Sequence, residues 1–284
     1  MNETKKMEIG VLAMLREGTN PFLPIAELGL KTAQLQSWNI NLLTEETAKK
    51  TVKDLKESGI RLAGFWCGYS GRIVWNSYHG PETCGLVPRD LRERRVAELK
   101  RGAEFAKMID APALITHCGF IPECPCDPLY TETVNAIYDV AIYCHKLGIG
   151  FWFESGQETP LTLLRTIEDL ALPNLGVNLD TANLILYGKA NPVDALEVFG
   201  KYVRNLHAKD GCWPVNGRCL GFETAIGQGR VDFRGVFRKL HELGYDSWVT
   251  IEREIEGDQQ IADILSARDY LQNIIEEIYG CKAD

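Results

Sequence analysis

Gly150-Phe151-Trp152-Phe153-Glu154-Ser155-Gly156 is an apolar run of strand-forming aromatics that ends at a carboxylate. The pattern recurs three times downstream: Leu175 to Leu179 ends in Asp180, Val203 to Leu206 in His207, and Trp248 to Ile251 in Glu252. Parallel strands covered on both faces read as continuous apolar runs. The carboxyl ends of such strands are where barrels of alternating strands and helices keep their sites. Four potential metal ligands therefore converge at one end of four successive strands.

Working outward, Glu8 to Leu12, Thr32 to Gln36, Arg61 to Trp66 and Ala113 to Thr116 read as four earlier strands, the last ending in His117. Helix starts lie between them. A short helix is expected from Asn20-Pro21, and others follow Thr44, Asp127-Pro128, Thr159-Pro160, Asn191-Pro192 and Asp232, with a last helix from Asp258 to Tyr279. The cap residue accepts an orphan N–H, and Pro at the first helical position has none to lose. Eight strand-helix alternations predict an α/β protein built as a (β/α)8 TIM barrel. No linker or repeat divides the chain, so residues 1–284 are expected to form one domain. Two long stretches interrupt the alternation, Gly68 to Pro88 and Asp210 to Arg230. Loops of that length are unusual unless functional; Asp210 to Arg230 is expected to lie over the site, and Gly68 to Pro88 to reach either a partner or the substrate.

The chain has 284 residues and is 45% hydrophobic, enough for a large core, and its net charge is −8. With a pI near 5.3 it lacks the basic face of a nucleic-acid binder. Met1 to Met7 contains no apolar signal core, and no run approaches the ~20 apolar residues that span a bilayer. A cytoplasmic protein with no membrane or nucleic-acid partner is expected. Nine irregularly spaced cysteines fit reduced thiols better than a disulfide framework.

The ligand spacing is regular: 26 positions from Glu154 to Asp180, 27 on to His207 and 45 on to Glu252. Three carboxylates and an imidazole make a mixed hard and borderline set that suits one divalent ion, Mn²⁺ above all, with Mg²⁺, Co²⁺ or Zn²⁺ as alternatives. Three buried carboxylates facing one another without a cation would repel.

These residues resemble the xylose isomerase-like barrels, and within them the sugar isomerase and epimerase group similar to D-tagatose 3-epimerase and 2-keto-myo-inositol isomerase. The motifs are Phe153-Glu154, Leu179-Asp180-Thr181, Asn205-Leu-His207-Ala-Lys-Asp210, Gly227-Gln-Gly229-Arg-Val-Asp232-Phe and Thr250-Ile-Glu252-Arg-Glu254. The resemblance covers nearly the whole chain. It implies that Glu154, Asp180, His207 and Glu252 bind one metal and that Glu154 and Glu252 double as acid and base. Many members carry His three residues after the aspartate; this chain has Asn183, which can bond a hydroxyl but cannot take up a proton. Related barrels often dimerise, so a homodimer is an expected assembly.

The chemistry expected of such a site is proton removal beside a chelated carbonyl, giving a cis-enediolate that is reprotonated on the same carbon or its neighbour. A sugar isomerase or epimerase acting on a keto-sugar or polyol follows. The alternative is a lyase or dehydratase on a keto-inositol or 3-keto-glycoside, which expels an oxygen from the same intermediate. His117, Asn183, Trp66, Gln157, Lys209 and Arg218 are the expected substrate contacts, with Trp38 and Trp75 as further aromatic walls. Arg253, next to Glu252, points to the opposite face by strand alternation and is expected in a structural salt bridge. Cys124-Pro-Cys126 departs from the Cys-x2-Cys spacing of zinc sites. Gly227-Gln-Gly229 does not open a helix after a strand, so it reads as a turn rather than a phosphate loop. A nuclease of the endonuclease IV type needs a histidine-rich cluster, and only five histidines are present.

Overall fold

Side chains alternate along a strand, so in a closed barrel every second residue of each strand points to the interior. The computed structural model describes residues 7–280. Met1 to Lys6, the segment read above for a leader, lies outside them. The strands are β1 (Glu8–Met14), β2 (Thr32–Ser37), β3 (Arg61–Cys67), β4 (Ala113–Thr116), β5 (Gly150–Glu154), β6 (Leu175–Asp180), β7 (Val203–Ala208), β8 (Asp210–Cys212), β9 (Phe222–Thr224) and β10 (Trp248–Ile251). Eight of them close a parallel barrel in the order β1-β10-β7-β6-β5-β4-β3-β2, and β8 and β9 form a separate antiparallel hairpin. This is the TIM barrel that the alternation predicts.

The helices start where their caps place them. Thr44, Asp127, Thr159, Asn191 and Asp232 each accept a backbone N–H of the first turn. The short helix expected from Asn20-Pro21 begins slightly later and spans Leu23–Glu27. No helix among the described residues is long and apolar enough to cross a membrane.

Two layers fill the barrel interior. Trp152 and Trp248 stack tilted, their centroids 6.3 Å apart, and Gly176 makes room for them. A Cβ at Gly176 would lie 2.6 Å from the Trp152 ring. Above them runs a polar ladder: Gln34 Nε2 and Asn205 Nδ2 both donate to Asn178 Oδ1, and Thr250 Oγ1 donates to Asn205 Oδ1. Every member is buried, and apart from Asn178 Nδ2, which has no partner, their polar side-chain atoms are satisfied within the ladder and by His207.

The Asp210 to Arg230 stretch is not a plain loop. Its first three residues pair with Phe222–Thr224 as β8 and β9, and the buried Asp210 carboxylate accepts the N–H groups of Gly227, Gly229 and Val231. The turn reading of Gly227-Gln-Gly229 thereby gains a cause: its amides already bind an anion, the protein's own.

Candidate metal centre

Glu154 ends β5, Asp180 ends β6, His207 lies one residue before the end of β7, and Glu252 follows β10. Asp180 and His207 are direct neighbours across β6 and β7. All four are buried, and their ligand atoms lie within 4.8 Å of one another. Ligand atoms about 2.0–2.2 Å from one ion sit no more than about 4.4 Å apart, so the cluster is close to coordination size.

Each side chain is aimed by a partner outside the cluster. Trp66 donates its indole N–H to Glu154 Oε2. Asp180 Oδ1 accepts the amides of Ala182 (2.9 Å) and Asn183 (2.8 Å), which leaves Oδ2 unpartnered. Lys209 Nζ reaches Glu252 Oε1 at 3.2 Å. His207 Nε2 meets Gln34 Oε1 at 2.8 Å. Because Gln34 uses its NH2 group on Asn178, its oxygen must accept there, so His207 carries hydrogen on Nε2. The other nitrogen, Nδ1, then faces Glu252 Oε2 at 2.7 Å, Glu154 Oε1 at 3.4 Å and Asp180 Oδ2 at 3.9 Å. A bare nitrogen lone pair among three carboxylate oxygens needs a proton or a cation between them. The donor set therefore fits a divalent ion.

The electrostatics agree. Burial disfavours a charged His207, but Glu154 and Glu252 outweigh it and pull the ring up to about 10. Burial also opposes ionisation of Glu252, yet Lys209 and His207 hold its carboxyl well below the usual range. Asp180 goes the other way: burial raises it well above an ordinary aspartate, and Lys209 only partly offsets that. A cation takes over the compensation that protons otherwise supply.

The family model described as xylose isomerase-like TIM barrel matches residues 22–274. The chain belongs to that family. A xylose isomerase domain protein from Planctomyces limnophilus is 35% identical, with a TM-score of 0.91 over 97% of this chain and 100% of that one. An inosose dehydratase of Geobacillus kaustophilus is 27% identical over 176 residues, 55% of this chain and 56% of its own length. The chain thus spans about half the length of that relative. A D-tagatose 3-epimerase-like protein superposes with a TM-score of 0.73 at 20% identity, over 96% of this chain and 99% of its own, a likeness of fold.

Most of the expected substrate contacts gather around this xylose isomerase-like cluster. His117 Nε2 lies 3.5 Å from Glu154 Oε1, and its Nδ1 has no partner. Burial lowers the His117 pKa by more than Glu154 raises it, which favours the uncharged ring. Asn183 Nδ2 stands 3.4 Å from Glu154 Oε1. Gln157 is buried with both amide atoms outside hydrogen-bond geometry, although the Tyr187 hydroxyl stands beside it. Lys209 is closer to the cluster than a loop residue would be: its Nζ lies 3.9 Å from Asp180 and 3.1 Å from Glu254. Arg218 is not brought in. It is exposed on the β8–β9 loop, its guanidinium 5.3 Å from the Tyr78 ring. Cys124 and Cys126 are exposed and outside the cluster. Arg253 points away as expected and pairs with Glu223 (3.0 Å) and Asp263 (2.8 Å).

The Gly68 to Pro88 excursion reaches the site through its aromatics. Trp75 packs 5.2 Å from the His117 ring and 5.9 Å from Trp38, which in turn lies 4.7 Å from Trp66. The excursion is pinned by Arg95, which is buried and donates to the carbonyls of Ser70, Arg72, Thr83 and Gly85. Its far end docks on the chain after His117, where Leu86 N–H donates to Cys118 O at 2.9 Å. Gly85 has φ +68°, and a Cβ there would lie 1.9 Å from Cys118 O, so only glycine permits this approach.

Proposed function

We propose that this protein is a divalent-metal-dependent isomerase or epimerase of an uncharged keto-sugar or polyol. Glu154 and Glu252 are its acid and base pair, and Asp180 and His207 complete the ligands of the ion, taken as Mn²⁺. The observation that carries this reading is the convergence of the unpartnered atoms His207 Nδ1, Asp180 Oδ2 and Glu252 Oε2 on one buried point beside Glu154. When bound, the ion polarises a substrate carbonyl as a Lewis acid and makes the neighbouring C–H acidic.

The two glutamates do the proton work. Trp66 holds one oxygen of Glu154 and Lys209 one oxygen of Glu252, and the remaining oxygens of both lie beside His207 Nδ1, at 3.4 and 2.7 Å. One carboxylate removes the proton beside the carbonyl. Return of a proton to the opposite face of that carbon is epimerisation, and return to the neighbouring carbon is isomerisation. His117, Asn183 and Gln157 bond the substrate hydroxyls, while Trp66 and Trp75 wall the ring. The occupied amides of Gly227 and Gly229 support an unphosphorylated substrate.

The inosose dehydratase among the relatives favours one second reading, in which the same proton removal is followed by loss of a hydroxyl from the adjacent carbon. Proton NMR in deuterated buffer separates the two across ketoses, keto-inositols and 3-keto-glycosides, with and without Mn²⁺. Metal-dependent deuterium uptake with the formula retained supports the isomerase, and a lost oxygen substituent supports the dehydratase. Glu154→Gln and Glu252→Gln should each lower turnover by about two orders of magnitude or more. Full activity in either variant overturns the mechanism.

A further inference from the structure

Beyond Glu252 the barrel mouth continues into a cavity of about 410 Å³, within the range of small-ligand sites. Of the four clustered residues it reaches only Glu252, so it is an annex to the metal centre rather than the centre itself. Its walls come from the ends of β1 and β2 and from the helix Asp258–Tyr279: Met14 and Gln36 on one side, Gln260 and Ile264 on the other, with Trp38 beside them. Trp38 keeps 37% of its surface exposed although its ring packs on Trp66. Trp66 holds Glu154, so a molecule with one end at the cluster and the other against Trp38 spans from the centre into the annex.

The charges around the annex say what that second end is. Arg16 is paired with Glu256 at 3.2 Å, and Arg253 with Glu223 and Asp263. Glu254 is paired with Lys209. Both arginines in the lining have acidic partners, Arg253 half-buried ones and Arg16 an exposed one, and the lining also holds three glutamates, Glu252, Glu254 and Glu256. A phosphate or carboxylate entering here would meet more acidic than basic side chains, and would have to compete with the carboxylates already on Arg253 and, at the surface, on Arg16. An uncharged ring meets the Trp38 indole, two amides and the apolar Met14 and Ile264 side chains. Amphipathic rings pack well against such a surface, the C–H face on the indole and hydroxyls toward the amides.

We propose that the annex is a second subsite and that the substrate is an uncharged glycoside, its reacting ring at the metal cluster and its second ring or aryl group against Trp38. This rests on the carbon-acid reading of the cluster given above.

The test uses the full chain loaded with Mn²⁺ and two readouts. In the first, proton NMR follows deuterium uptake by a 3-keto-glycoside, the matching keto-hexose without a second ring, and its phosphate ester. The glycoside should exceed the keto-hexose in kcat/KM by about 10- to 200-fold, as a filled subsite allows. The phosphate should be the poorest. Met14→Trp, which fills the annex, and Trp38→Ala, which removes its platform, should each lower the glycoside-to-hexose ratio about tenfold or more, and Trp38→Phe should restore part of it.

In the second readout, calorimetry measures binding of an unreactive phenyl glycoside to the same proteins. Binding that weakens about tenfold in Met14→Trp supports the subsite. Equal kcat/KM for the two sugars, or phenyl glycoside binding that neither Met14→Trp nor Trp38→Ala alters, overturns it. Absence of deuterium uptake from every sugar overturns the carbon-acid reading instead, and the calorimetric arm then decides the subsite alone.

Discussion

His207 Nε2 is held 2.8 Å from Gln34 Oε1 across the interior of the barrel, and this contact decides which ring nitrogen faces the carboxylates. Partners of this kind fix the tautomer and the angle of a metal-binding imidazole, and their loss typically lowers metal affinity 10- to 100-fold. Gln34→Leu should therefore weaken Mn²⁺ binding by about that factor, while circular dichroism stays that of the parent. Gln34→Glu keeps an acceptor at the same position and should retain most of the affinity. Calorimetric titration of the metal-free protein with Mn²⁺ checks both, and unchanged affinity in Gln34→Leu would count against His207 as a ligand through Nδ1.

Arg95 sits on the long helix Arg89–Met108, yet what it stabilises is the excursion, not the helix. Its removal leaves the carbonyls of Ser70, Arg72, Thr83 and Gly85 short of a donor beneath the loop that carries Trp75. Unsatisfied buried groups cost about 1–3 kcal/mol each. Arg95→Met should lose about 3 kcal/mol or more and lower Tm by roughly 5–10 °C. Limited proteolysis should open new cleavage between residues 70 and 85, whereas cleavage elsewhere in the chain would contradict this account.

Much of this was legible in the sequence, and the reasons are physical. Glu154, Asp180, His207 and Glu252 announce themselves because a polar residue after an apolar run is a strong contrast, and because βα units repeat at nearly constant length. Gln34, Asn178 and Asn205 were hidden by the opposite circumstance. A single polar residue inside a strand reads as a solvent-facing position until the barrel closes and turns it inward; strand alternation that puts Gln34 on the same side as the ligand-bearing ends was the available signal. Arg95 lies in Arg92-Glu-Arg94-Arg95, a charged stretch from which local pattern cannot choose the buried member. That choice is made by a loop folding back from 10 to 25 residues away. The helix Asn183–Leu186 and strands β8 and β9 are too short to show a period.

Glu158 is not one of the metal ligands, although Glu154 adds a little to its upward shift, and it gives a pH signature of its own. Burial pushes its carboxyl from 4.5 up to about 8. The folded state thus binds this proton more tightly than the unfolded chain does. Its contribution is fully present below pH 4.5 and is lost as pH rises toward 8, an effect of up to about 4–5 kcal/mol. Glu158→Gln removes the titration while keeping shape. The difference in urea-unfolding free energy between variant and parent should grow in favour of the variant from pH 5 to pH 8 and level off above. A flat difference would mean that Glu158 is ionised in the folded protein at all these pH values.

Lys209 and the ion do overlapping work, and this makes a prediction with two opposite signs. The Lys209 ammonium is buried among Glu252, Glu254 and Asp180, and although burial opposes its charge, those carboxylates keep it protonated. Without a metal it is, with the His207 proton, the positive charge that lets these acids share one place. Lys209→Met leaves them uncompensated, and breaking a buried charge pair from one side costs about 3–5 kcal/mol. The metal-free variant should therefore melt well below the parent. The Tm gain on adding Mn²⁺ should be larger than in the parent, because the ion then neutralises carboxylates that nothing else does. Thermal melts of both proteins with and without Mn²⁺ read the two signs at once. A variant that melts lower but gains no more from the ion would place Lys209 outside the electrostatics of the cluster and leave it a packing residue.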